Sequence, residues 1–141
     1  MCCKCSPLQI SRCFCLTCTA AFSHCAERVC CPERWVQFNG KCFYFSTDTM
    51  NWHSSWTSCV SMGVDLVIIE SEAEQRFLDN VKRDSYWMGL TDTVTEGVWL
   101  WVDGTPLNDN AKFWYGNEPD DWKKVDSSGE DCAHLAYWQI P

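Results

Sequence analysis

The sequence predicts one α+β domain over residues 31–141. An early hairpin pattern, two helix patterns flanking a short apolar run, and a later half of aromatic and β-branched segments parted by long polar loops carry that expectation. With 141 residues the chain has single-domain length, and 46% apolar residues including nine tryptophans are ample for one packed core. A formal charge of −8 argues against nucleic acid and against insertion into or binding to anionic membranes, which require Lys/Arg clusters that this sequence lacks. An acidic surface fits cations or neutral ligands.

The elements follow in order. "WVQFNGKCFYFS" (35–46) alternates bulky apolar with polar residues about Asn39-Gly40, the signature of a hairpin. Cys31 and Cys42 lie at its two ends, and a bridge between them would constrain the unfolded chain by roughly 2 to 3 kcal/mol on the loop-entropy model. Trp52, Trp56, Cys59 and Val60 recur on one face of a helix that Gly63 can end, which points Cys59 inward. "VDLVIIES" (64–71) reads as a strand. Ser71 and Glu74 form a capping box that opens a second helix, "EAEQRFLDNVKR". "YWMGLTD" (86–92) and "GVWLWVDGTPL" (97–107) read as strands joined by Asp-Gly and Thr-Pro turns. No periodicity runs from Leu107 to Asp131, and a loop of that length in a small domain usually needs a ligand to hold it.

Nine of the twelve cysteines lie in the first 31 residues, a density that suits an oxidising compartment. Their spacing does not repeat a paired C-x-x-C zinc pattern. Residues 1–30 are therefore expected to be an irregular Cys-rich segment, either a signal-peptide remnant or a non-native start, too short and polar to span a bilayer.

"NEPDDW" (117–122) crowds three carboxylates around Pro119, and "GEDC" (129–132) adds two more. Such groups repel one another unless a cation sits among them. Most acidic loops are merely solvated, and His24, His53 and His134 have no partners at catalytic or metal-ligand spacing, so an enzyme is not expected.

In family order, "CPERWVQFNGKCFYFS", the helix ending in Cys59, "GVDLVIIESEAEQRFL", "WMGLTD", "WLWVDGTPL", "NEPDDW" and "EDCAHL" resemble a C-type lectin-like domain across residues 31 to 138. The motifs stand nearest to asialoglycoprotein-receptor-like and dendritic-cell mannose-receptor-like type II members. The resemblance implies a double-loop α+β fold whose long loop region binds Ca²⁺. It places Glu118, Asp120 and Glu130 in the principal calcium site, with Pro119 matching a proline preceded by a cis bond. It places Asp92, Glu96, Asp121 and Asp131 in an auxiliary one. Calcium takes about six to eight oxygens, and extracellular modules bind it with Kd of about 10⁻⁴ to 10⁻³ M.

The same resemblance implies carbohydrate as the partner, with Glu118, Asp120, Trp122 and Glu130 contacting sugar hydroxyls or the sugar's apolar face. Glu-Pro-Asp matches neither the Glu-Pro-Asn of mannose-type nor the Gln-Pro-Asp of galactose-type members. Trp122 tips the reading toward galactose, although "KKVDSSG" lacks the Gly-rich loop that supports such stacking, and ordinary packing is an equal account of the indole. The alternative readings are a protein-binding immune-receptor module without sugar binding, or a truncated product without function. The family continues past "EDCAHL" with an Asn-Asp motif, further strands and two cysteines. Resemblance pairs Cys132 and Cys59 with those, so neither partner lies within the 141 residues, and the first hairpin is expected to expose an edge. An extracellular or cell-surface location and self-association into homo-oligomers complete the expectation.

Overall fold

The computed structural model describes residues 31–108, 114–121, 123 and 129–136, together with the backbone of 8–13. Strands β2 (Val36–Phe38) and β3 (Lys41–Phe45) pair antiparallel with Phe38 opposite Lys41. Asn39 and Gly40 close the turn with φ of 46° and 77°, the left-handed conformation that a two-residue hairpin demands and that Asn-Gly adopts readily. A disulfide joins Cys31 to Cys42, with Cα atoms 5.5 Å apart, and so ties the chain entering the hairpin to its second strand.

Strand β1 (Leu8–Cys13) lies within the segment expected to be irregular, and this is a correction to that reading. It pairs antiparallel with β3 and β4 (Asp65–Leu66) and parallel with β5 (Tyr86–Thr91). The β3 side of the hairpin is thereby covered by β1, while β2 ends the strand order and, among the described residues, keeps the open edge that the hairpin was expected to show. The sheet runs β2-β3-β1-β5-β6, where β6 is Leu100–Trp101, and β7 (Cys132–Leu135) pairs antiparallel with β5.

Helix α1 (Trp52–Ser61) starts at Asn51, whose side chain accepts from the Ser54 N–H at 2.8 Å, and ends before Gly63 at φ 75°. Cys59 is fully buried as expected, but Val60 is exposed and Ser55 takes the inner position. The reason is angular: Val60 stands about 100° round the helix from Cys59. Helix α2 (Glu72–Val81) is capped by Ser71, which accepts from the Glu74 N–H, and buries Glu74 and Leu78. The apolar run at 64–71 forms only the two ladder residues of β4, and beyond them Val67 and Ile69 are buried outside any strand. The ladder gives way there to a single bond from the Gly89 N–H to the Val67 carbonyl at 2.9 Å.

Phe43, Leu66, Leu78, Trp87, Leu90, Trp101 and Leu135 belong to one core cluster between the sheet and the helices, and Phe38 stacks on Phe77 at its rim. At one end of that core, Lys41 reaches Glu74 at 2.9 Å and Glu70 at 2.7 Å, and Glu74 also accepts from the Glu70 N–H at 3.0 Å. The hairpin turn is thereby fastened to the start of α2. Among the described residues, no helix is long and apolar enough to cross a membrane.

Candidate functional site

The acidic loops converge because β5 and β7 are neighbours. Thr91 pairs with Cys132, and the Asp92 N–H donates to the Asp131 carbonyl at 3.1 Å, so two carboxylate-bearing positions 39 apart in sequence meet at one end of the sheet. The Thr91 hydroxyl donates to the same carbonyl. Val98 and Thr95 close a turn after Asp92, and the Gly97 N–H donates to Asp92 Oδ2 at 2.9 Å, which folds the Asp92–Glu96 loop back on its own first residue.

The second loop arrives from Trp114, which packs edge-on against Trp99 at 4.9 Å. The Glu118 N–H donates to the Tyr115 carbonyl at 3.1 Å, and the Glu118–Pro119 bond is cis. The Asp120 N–H then donates to Glu118 Oε2 at 3.3 Å. Asp121 adopts φ 49°, a left-handed conformation that Asp tolerates better than most residues, and its Oδ1 accepts from the Glu130 N–H at 3.3 Å. That contact links the two strings of carboxylates, 117–121 and 129–131.

Glu118, Asp120 and Glu130 each bring one carboxylate oxygen to within 4.8 Å of the others, and this is the metal-capable group found among the described residues. Hard oxygen donors in such a cluster, with Glu118 and Glu130 half-buried and Asp120 exposed, suit a calcium ion that keeps some water. The donor chemistry therefore fits the ion.

Asp92, Glu96, Asp121 and Asp131 lie within electrostatic reach of one another, but without the convergence of oxygens that Glu118, Asp120 and Glu130 show. Burial pushes the Asp92 carboxyl above the usual carboxylate range, the Gly97 N–H opposes that rise, and Asp131 and Asp121 add to it. Asp121 is held low instead, chiefly by its hydrogen bond to Lys123, whose Nζ lies 2.7 Å from Oδ2.

Two residues important to this geometry escaped the sequence reading. Lys123 could have been noticed as a cation two positions after Asp121. Gly129 has φ 91°, and a Cβ placed there would stand 1.8 Å from Asp121 Oδ1, so only glycine leaves room for that carboxylate. Trp122 lies outside the described residues. Cys59 and Cys132 are buried thiols, with Cys132 Sγ 3.9 Å from the Thr91 hydroxyl. His134 packs edge-on against Trp87, and His53 against Trp56.

The described residues thus combine a two-helix α+β fold, a disulfide-tied hairpin and carboxylates gathered at one end of the sheet, the architecture of a C-type lectin-like domain. Residues 48–140 match the Lectin C-type domain model, and the chain belongs to the C-type lectin domain family. Over 108 residues it is 44% identical to human C-type lectin domain family 4 member E, a match covering 75% of this chain and 48% of that protein. The mouse counterpart is 43% identical over 108 residues, so the chain spans about half the length of these curated relatives. Among solved structures, the human scavenger receptor C-type lectin carbohydrate-recognition domain superposes with a TM-score of 0.70 at 37% identity, covering 77% of this chain and 84% of that one. The trimeric structure of the Kupffer cell C-type lectin receptor Clec4f superposes with a TM-score of 0.65 at 42% identity, covering 72% and 69%. The family generally binds carbohydrate in a calcium-dependent manner.

Proposed function

We propose that this chain is a calcium-dependent carbohydrate-binding module of an extracellular or cell-surface protein, with Glu118, Asp120 and Glu130 holding the principal ion. The convergence of their oxygens within 4.8 Å carries the reading. Calcium bound there would neutralise the crowded loop and offer open coordination positions to two adjacent sugar hydroxyls, which the same carboxylates would accept as hydrogen-bond donors. Recognition involves no bond making or breaking. Galactose-type hydroxyl geometry is favoured over mannose-type by Trp122 in the sequence, whose indole would cover the sugar's apolar face.

A ligand that binds only the folded state stabilises it by mass action. For Kd of about 10⁻⁴ to 10⁻³ M, 10 mM Ca²⁺ contributes roughly 1.4 to 2.7 kcal/mol, or about 4 to 10 °C in Tm. Asp120→Ala, which removes both the charge and the ligand oxygens of that side chain from the triad, is expected to weaken calcium binding about tenfold or more. The direct test is retention on immobilised galactose and mannose with Ca²⁺ or EDTA. Retention on galactose that EDTA abolishes supports the proposal. A melting temperature unmoved by calcium, or retention indifferent to EDTA, overturns it, and calcium-dependent melting without retention on either sugar favours the protein-binding alternative.

A further inference from the structure

The auxiliary carboxylates already have a cation beside them, and it is part of the chain. Lys123 Nζ lies 2.7 Å from Asp121 Oδ2, and Glu96 and Asp131 both add to the field around that ammonium. Glu96 in turn stands within electrostatic reach of Asp121. Like-charged groups packed this closely need a counter-charge, and Lys123 supplies one without any ion from solution.

Lysine serves the cluster incompletely. Asp92 is only 3% exposed, yet its Oδ1 has no hydrogen-bond partner among the described residues, and the charges that bear on it are those of Asp131, Asp121 and Glu96. An ammonium offers three donors and one charge, while a calcium ion brings two charges and accepts about six to eight oxygens. The buried oxygen of Asp92 therefore marks a position for a more highly charged, more highly coordinated cation, beside a lysine that already holds one of the carboxylates such a cation would use.

We propose that Lys123 acts as a tethered counter-ion that competes with calcium for the auxiliary carboxylates Asp92, Glu96, Asp121 and Asp131. Calcium entering this site must displace Nζ from Asp121. The lysine thereby weakens the auxiliary site while keeping its loops together when calcium is scarce. Because Lys123 is more than half exposed, water screens the contact and the competition is modest: removing the ammonium is expected to tighten auxiliary binding about three- to tenfold. The proposal rests on the calcium-binding reading above, and its test separates the two.

Calcium titration by calorimetry, with Tm as a second readout, is carried out on the full chain carrying Asp120→Ala and on the same chain carrying Asp120→Ala with Lys123→Gln. With the principal triad disabled, calcium that still binds reports the auxiliary carboxylates, and comparison of wild type with Asp120→Ala tests the principal site separately. The expected result is a three- to tenfold tighter calcium isotherm with Lys123→Gln, a lower Tm in EDTA, and loss of the gain when Asp121→Asn is added. Calcium affinity unchanged or weakened by Lys123→Gln, or no calcium bound by the double variant, overturns the proposal.

Discussion

At the scale of single residues, the site depends as much on what is absent as on its carboxylates. Gly129 faces Asp121 so closely that a methyl group would occupy the space of Oδ1. Gly129→Ala forces either the backbone at φ 91° or the Asp121 side chain to move, and with it the contact to the Glu130 N–H. The expected outcome is a loss of about 1 to 3 kcal/mol in stability from the strained backbone. Calcium affinity should fall as well, and chemical denaturation and calcium titration of the same variant measure the two effects. The glycine was visible in "GEDC", but nothing in one dimension says that Asp121 lies against it. The carboxylates were legible because their residue type and crowding state a chemistry. The glycine was not, because its role is a distance.

At the scale of elements, local signals sufficed where the chain folds on its neighbours. Asn39-Gly40 dictated a hairpin, and the Ser71–Glu74 cap fixed the start of α2 to the residue. They failed where pairing is remote. "VDLVIIES" looked like a full strand because burial and ladder pairing leave the same apolar imprint, and only Asp65–Leu66 found a ladder. Strand β7 carried no local signal, since its place is set by β5, some forty residues earlier. Gly89 shows how tight that neighbourhood is. A Cβ there would lie 2.8 Å from Val102 Cγ2 and 3.0 Å from the Leu66 carbonyl, between backbone bonds to Val67 and Val102. Gly89→Ala is expected to cost about 1 to 3 kcal/mol by overpacking. Thermal melting checks this, and an unchanged Tm would mean that the strand moves aside freely.

At the scale of the whole molecule, two regions far apart in sequence are fastened by charge as well as by apolar packing. The sequence displayed Lys41 in a hairpin and Glu74 in a capping box, each with a sufficient local explanation, so their encounter was hidden. Lys41 is 14% exposed and Glu74 4% exposed at the side chain, and the two lie 2.9 Å apart. Lys41→Met is expected to cost about 3 kcal/mol or more, because it strands a buried carboxylate, whereas Lys41→Met with Glu74→Gln should cost clearly less than the sum of the single changes. Glutamine keeps an acceptor for the Glu70 N–H while shedding the charge. A double-mutant cycle by denaturant unfolding measures the coupling, and simple additivity would refute it. For the history of such a chain the consequence is a constraint on the order of change: positions 41 and 74 form a mutational ratchet, in which either substitution alone passes through a weakened fold. Moving away from this pair without a weakened intermediate requires its charge to be surrendered at both positions together.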